Sequence, residues 1–290
     1  MHLPHPGGEF TFHQLAKGRA LEAAGTEDHG VKLLSLADRG AVASLPADWT
    51  SIWIVLKGQA LFTGAYVEVP ARAGEMLAWS DGPIRAMTLR GSWLLGVAAP
   101  IRIWSELRGS ADPAGRRSIF SRLSRTDREI LRLVVRMVRG SSTQDATRMS
   151  HLQALRDAVR DHQIDLEPWL AKCSGQTRAR KEYTLHRLIR ARNVIIHSRG
   201  VRSSITELSS IARFSPTHFK RLYREVFGTT PGEHASQLKV EHTWNLITNT
   251  TLTLVDICDA VGFESKSAFC RTFKQHFGVT TTQARERLTQ

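Results

Sequence analysis

The side chains best placed to do specific chemistry lie in the last third of the chain, in two sets offset by fifty positions. The run Ser215, Phe219, Arg221, Tyr223, Arg224, Phe227-Gly228 and Thr230 aligns with Ser265, Phe269, Arg271, Phe273, Lys274, Phe277-Gly278 and Thr280. Apolar residues recur at helical spacing in both, with Phe219, Leu222, Tyr223, Val226 and Phe227 in the first and Phe269, Phe273 and Phe277 in the second. Residues at that spacing share one helix face and must bury it against a core. Thr217, Lys220, Arg221 and Arg224 are left facing outward in the first run, and Lys266, Ser267, Cys270, Arg271 and Lys274 in the second. These are hydrogen-bond donors, and the only carboxylate beside them is Glu225 on the flank. Such a set matches the acceptor-rich guanine edge of a DNA major groove and the phosphates beside it. One basic helix face is usually just solvated surface, so the duplication carries the inference.

Each run needs a second element to hold it. Ser204-Ile-Thr-Glu207 and Thr253-Leu-Val-Asp256 each place a hydroxyl at a helix start and a carboxylate three residues on, which satisfies the free N–H groups there. Leu208 and Ile211, and then Ile257, Ala260 and Val261, give each short helix an apolar face. Arg213-Phe214 and Gly262-Phe263-Glu264 join the short helices to the longer ones. Two helices linked so tightly cross steeply, in helix-turn-helix geometry.

From about Tyr183 to Leu288 the chain resembles the C-terminal domain of AraC/XylS-type transcription regulators. The resemblance rests on Leu208-Ser-Ser-Ile-Ala212, Ser215-Pro216, Phe219-Lys-Arg221 and Phe227-Gly-Thr-Thr-Pro231. Its second half rests on Ile257, the Gly262–Ser265 turn and Phe269-Cys-Arg271-Thr-Phe273-Lys274 running to Phe277-Gly278. It implies that the two longer helices enter successive major grooves about one helical turn, roughly 34 Å, apart, with a bridging helix around 233–248 setting their separation. It further implies base reading by Thr217, Lys220, Arg221, Lys266, Ser267, Cys270 and Arg271, and phosphate contacts from Ser215, Arg224, Ser265 and Lys274. The chain departs from the family pattern at Arg213, where the first turn commonly has Gly. It also departs at Lys239-Val240 and Thr243 in the bridging helix, and at Thr281 and Ala284 near the end.

The rest of the chain is read more coarsely. Its 290 residues carry a formal charge of +13, yet residues 1–100 hold 8 Lys and Arg against 9 Asp and Glu, so the basic surplus lies beyond them. Such a surplus points to a polyanionic partner. Short apolar runs between 50 and 98, broken at Lys57-Gly58, Gly64, Pro70, Gly74, Asp81-Gly82-Pro83 and Gly91-Ser92, suggest an antiparallel barrel or sandwich. Residues 105–118 look like a connector. Beyond them Ile130, Leu133, Val134, Met137 and Val138 form one helical stripe and Leu152, Leu155 and Val159 another; these either pack on a neighbouring domain or join two subunits. The resemblance implies an N-terminal sensor barrel of cupin type. The expected fold class is therefore α+β, with a cupin-like antiparallel β-barrel over 1–104, a helical connector or dimerisation region over 119–172, and an all-α double helix-turn-helix domain over 183–290.

Other classes are excluded or set aside. The chain contains no GxSxG, phosphate-binding loop or HExxH motif, and no histidine between His29 and His151, so the barrel lacks imidazole ligands for a metal. His2, His5 and His13 read as surface histidines. Neither an enzyme nor a cofactor is expected. Three widely spaced cysteines, Cys173, Cys258 and Cys270, suit a reducing, cytoplasmic setting, and no apolar run is long enough to span a membrane. Trp53, Trp79 and Trp93 either line an effector pocket or serve as core. The expected partners are double-stranded promoter or operator DNA, RNA polymerase, a small-molecule effector and a second copy of the chain. The other reading is a protein that binds DNA without sequence preference, or an adaptor with no ligand.

Overall fold

The computed structural model describes residues 9–23, 30–107, 118–140, 145–198, 204–263 and 265–286. His2, His5, most of the connector expected at 105–118, and Glu264 lie outside the described residues. Two compact units are formed, residues 1–190 and 191–290.

The first unit begins with ten strands, β1 (Phe10–Leu15), β2 (Ala20–Glu22), β3 (Val31–Ala37), β4 (Val42–Leu45), β5 (Trp49–Lys57), β6 (Gln59–Gly64), β7 (Glu68–Arg72), β8 (Glu75–Trp79), β9 (Ile84–Thr88) and β10 (Trp93–Pro100). Helix α1 (Ile101–Glu106), strand β11 (Arg122–Arg125) and helices α2 (Arg128–Arg139), α3 (Asp145–His162), α4 (Glu167–Lys172) and α5 (Arg178–His197) follow, and the division between units falls within α5. The strands make two sheets, in the orders β1-β3-β10-β5-β8-β11 and β2-β4-β9-β6-β7. The expected barrel is thus two sheets, and it is not wholly antiparallel. The chain alternates between sheets through β1, β2, β3 and β4, so each return to a sheet follows a full circuit. Accordingly β1 pairs with β3, and β2 with β4, in parallel. Residues 122–125, placed by the sequence within the helical connector, instead add an edge strand beside β8.

The alternation of side chains along a strand explains the layering. Trp53 and Val55 join Leu34, Leu36 and Leu94 in a core shared with Phe62, Val69 and Ala86 of the second sheet. Ile52 and Ile54 face the opposite way, with Leu33, Leu95 and Val97, towards Ile130, Leu133, Val134 and Met137 of α2 and Leu152, Leu155 and Val159 of α3. The first sheet is therefore covered on both faces, which is why residues 52–56 of β5 read as an unbroken apolar run. Each fully buried Leu, Ile or Val contributes about 1.5–3 kcal/mol. The α2 stripe is engaged by its own sheet. Gly96 pairs with Trp53 across the β10–β5 ladder, and a Cβ there would lie 2.5 Å from the indole, so only glycine fits.

In the second unit the end of α5 is followed by α6 (Ile205–Ile211), α7 (Pro216–Phe227), α8 (Pro231–Asn249), α9 (Leu254–Val261), α10 (Lys266–Phe277) and α11 (Thr281–Glu286). No helix among the described residues is long and apolar enough to cross a membrane. No cluster of three or more His, Cys, Asp or Glu among them could hold a metal ion.

Candidate nucleic-acid interface

The repeat read from the sequence is two helix pairs, α6–α7 and α9–α10. At the start of α6 the Ser204 hydroxyl accepts from the Glu207 N–H at 3.1 Å. At α9 the Thr253 hydroxyl accepts from the Asp256 N–H at 3.2 Å, and the Asp256 carboxylate accepts from the Thr253 N–H at 3.1 Å. The Thr253 hydroxyl, which also donates to the Asp256 carboxylate at 2.6 Å, and the Thr253 N–H hold that carboxyl below the usual carboxylate range. A cap of this kind stabilises a helix end by about 1 kcal/mol.

Both short helices end alike. Arg213 N–H donates to the Ser210 carbonyl and Phe214 N–H to the Ser209 carbonyl, each at 2.9 Å; Gly262 and Phe263 repeat the pattern onto Asp259 and Cys258 at 3.1 and 3.0 Å. This is a Schellman ending, which requires a left-handed residue after the last turn. Gly262 has φ 67° and Arg213 φ 55°, so the first turn keeps the glycine geometry without the glycine. The sequence marked Arg213 as a departure but could not tell that the backbone conformation survives it.

The longer helices bury the face that their spacing requires. Phe219, Leu222, Tyr223 and Val226 are buried on α7, and Phe269 and Phe273 on α10. Phe227 and Phe277 close the stripes at half-burial, and Gly228 and Gly278 terminate both helices in the left-handed conformation, at φ 80° and 70°. The bridging helix α8 holds both halves. Its Thr230–Glu233 capping box fixes its start. Its Trp244 stacks on Phe273 with ring centroids 5.7 Å apart, and its Lys239 donates to the Gly262 carbonyl at 2.8 Å while lying 4.3 Å from the Phe263 ring centre. Lys239 thus clamps the second turn. Arg285 of α11 likewise donates to the Leu252 carbonyl. Neither tie was read from the sequence, because each joins residues more than twenty positions apart and the sequence marks neither.

On the other face Thr217, Lys220, Arg221 and Arg224 are all exposed, as are Lys266, Ser267, Arg271 and Lys274; Cys270 is half-buried. The structure therefore brings the expected residues onto two outward helix faces. Cys270 departs from the rest because it leans on the core holding Phe269 and Phe273. Arg221 donates to the Glu225 carboxylate at 3.0 Å, although its side chain is 64% exposed. The outward charges of α10 meet no carboxylate on their own helix, and Lys266 and Lys274 have no ion-pair partner among the described residues. The helix starts also differ. Ser265 caps the Ala268 N–H at 3.2 Å, whereas Ser215 makes no side-chain cap bond and Pro216 occupies the first turn.

Behind α7, the Tyr223 hydroxyl is 2.6 Å from His234 Nδ1. Burial pushes the phenol up and the imidazole down. Both groups are therefore neutral and the O–H donates to the ring nitrogen. Arg192 lies 5.5 Å from the Phe227 ring centre and flanks the same pair.

The three tryptophans considered for an effector pocket are not brought to one surface. Trp53 and Trp79 are buried between the sheets, with their indole N–H groups donating to Ser51 Oγ at 2.9 Å and the Gly82 carbonyl at 3.0 Å. Trp93 is 37% exposed and donates to Ser35 Oγ at 3.1 Å.

A family model described as a helix-turn-helix domain matches residues 208–287. The RCS-specific HTH-type transcriptional activator RclR of Escherichia coli K12 is 36% identical over 87 residues, covering 30% of this chain and 31% of that protein. The virulence regulon transcriptional activator VirF of Yersinia enterocolitica is 34% identical over 82 residues, covering 27% of this chain and 30% of its own length. The chain thus spans about a third of the length of these curated relatives. Among solved structures, an AraC-type DNA-binding transcriptional regulator from Chromobacterium violaceum is 23% identical, covering 37% of this chain and 96% of that one, with a TM-score of 0.34.

Proposed function

We propose that the chain is a sequence-specific DNA-binding transcription regulator, a reading supported by the helix-turn-helix family match over residues 208–287 and by the similarity of that region to transcriptional activators. The observation that carries this reading is the pairing of two alike-folded helix-turn-helix units, each turning an exposed donor-rich face outward. Thr217, Lys220 and Arg221 on α7, and Lys266, Ser267, Cys270 and Arg271 on α10, read base edges in adjoining major grooves. Ser215, Arg224, Ser265 and Lys274 hold phosphates, because helix starts and long cations suit anions there. Residues 183–290 form the DNA-binding domain. Residues 1–104 serve as a sensor, and 119–172 as the region through which two copies associate. Transcription rises on binding, in keeping with the activator names of the relatives, and RNA polymerase is the partner at the promoter. The protein performs no catalysis.

The test is binding of a selected duplex by Arg221→Ala and Arg271→Ala. Each is expected to weaken specific binding by about 1–3 kcal/mol and relax preference at one position. Unchanged affinity and footprint in both variants would contradict the base-reading assignment. Equal affinity for selected and random duplex at fixed salt, with steep salt dependence, would mark a protein bound by charge alone. Sedimentation of the full chain as monomer only would remove the two-copy arrangement.

A further inference from the structure

Within the first unit, a cavity of about 450 Å³ lies outside the sheet core, where the strand ends meet α1, α3 and the first part of α5. It falls within the size range of small-molecule sites, about 300–1,000 Å³. Trp104, Ile119 and Thr50, each less than a tenth exposed, form its base. The Trp104 N–H is already used, donating to the Thr50 carbonyl at 3.0 Å, so this base presents apolar ring and aliphatic surface. Ile101 and Tyr183, at 56% and 60% exposure, stand at the mouth.

The walls are cationic. Among the described residues, Arg156, Arg160, Arg187 and Arg190 line the cavity, against two carboxylates, Asp81 and Glu182. Both carboxylates are already engaged. Arg190 Nε reaches the two oxygens of Asp81 at 2.7 and 3.0 Å. Glu182 accepts from Arg178 at 2.9 Å and from the Ser118 hydroxyl at 2.8 Å. Asp157, beside the wall, accepts from Arg156 at 2.9 and 2.8 Å and lies 3.8 Å from Arg160, so one carboxylate serves two guanidiniums. Arg156 is only 2% exposed, and its Nη1 donates to the Leu107 carbonyl. Arg187 lies 5.3 Å from the Tyr183 ring centre. His186, also in the wall, is pushed down to about 4 by burial and is neutral near pH 7, so it adds no charge of its own.

Four guanidiniums among the described lining residues, set above an apolar base, select one class of ligand. The carboxylate forms charge-assisted bonds with the arginines, while the hydrocarbon body covers Trp104 and Ile119. We propose that this cavity is the binding site for a small organic carboxylate, with Arg160 and Arg187 as the groups that recognise its anionic end. As the sensing site of a DNA-binding regulator it rests on the function proposed above; as a binding site it does not. The residues come from strand ends, α1, α3 and α5, and no local sequence signature joins them. The tryptophan that lines the site is Trp104, not those singled out in the sequence.

The experiment is calorimetric titration of the full chain with hexanoate, adipate and phenylacetate, with hexanamide and phenylacetamide as uncharged counterparts. At least one carboxylate is expected to bind at one site per chain, and its amide to bind at least about tenfold more weakly, as the loss of a charge-assisted bond requires. Arg187→Gln should weaken carboxylate binding by a similar factor in a chain that still unfolds cooperatively. Should that variant fail to fold, Ser105→Trp decides instead, since it crowds the cavity from an exposed position on α1 and is expected to abolish binding. No carboxylate binding up to about 10 mM, equal binding of acid and amide, or binding unchanged in the folded variants would overturn the assignment. Duplex binding by the same preparations is scored separately. A chain that takes carboxylate but no DNA sinks the regulator reading alone, and a chain that takes DNA but no carboxylate sinks the cavity assignment alone.

Discussion

The two helix-turn-helix pairs share a plan but solve it with different resources. In α6–α7 the burial is deep, with Phe219, Leu222, Tyr223 and Val226 all below 2% exposure, and the Tyr223–His234 bond and Arg192 reinforce it from behind. Its turn is nevertheless strained at Arg213, and its central arginine is held by Glu225. In α9–α10 fewer residues are fully buried and Trp244 of α8 supplies the missing surface by stacking. There the caps are complete, the turn has glycine, and no carboxylate on α10 opposes its cations. The first pair is built for packing at some local cost in its turn, while the second is built for local fit and an unopposed charge. A repeat can thus preserve its backbone while shifting stability and anion affinity to opposite copies.

The largest expected effect breaks this contrast directly. Phe219→Ala empties a fully buried site and should destabilise the second unit by about 3–5 kcal/mol, whereas Phe277→Ala, at a half-buried position, should cost clearly less. Urea denaturation followed by tryptophan fluorescence measures both, and equal losses would show that the two cores are equivalent.

Acid should loosen the second unit through His197 at the end of α5 and His234 behind the first pair. Burial lowers His197 to about 4 and lowers His234 as well. The unfolded chain therefore binds protons that the folded chain resists, so stability is complete above about 6.5 and falls as the pH drops from there towards 4. Between pH 7 and pH 5 the loss should be about 1–2 kcal/mol. Protonating His234 would also remove the acceptor of the Tyr223 hydroxyl. His234→Asn, which keeps an acceptor but cannot titrate, should reduce this sensitivity; a melting temperature flat over that range would refute it.

Two smaller effects sharpen the comparison. Arg213→Gly relieves a left-handed non-glycine residue, worth about 1–2 kcal/mol, but frees the unfolded chain by about 0.5–1 kcal/mol, leaving a net gain near 0.5 kcal/mol. Gly262→Arg should move stability the other way, and thermal melts of both variants would show whether the turns are interchangeable. Glu225→Gln should release Arg221 and improve duplex affinity by about 0.3–0.5 kcal/mol; weaker binding measured by fluorescence anisotropy would mean that Glu225 positions Arg221 productively.

What could be read in advance follows how far each interaction reaches along the chain. The caps at Ser204 and Thr253, the buried stripes of α7 and α10 and their outward donors all arise within a few residues, so spacing alone located them. The α2 stripe was equally visible, but what covered it was not, because its partner strands lie thirty to a hundred residues away. Strand β11 escaped notice because four residues carry too little period to distinguish them from a connector. The parallel pairing of β1 and β2 depends on a circuit through both sheets, which no local pattern encodes. The Lys239 clamp and the arginines around Trp104 were missed for the same reason, since each gains its meaning only from residues distant in sequence.

Selection of bound sequences from a random duplex pool by the full chain tests the central claim most directly. The account predicts two short, distinct boxes centred about one helical turn, roughly 34 Å, apart, with Arg221→Ala blurring one box and Arg271→Ala the other. Recovery of no preferred sequence, or of a single box indifferent to both substitutions, would contradict it.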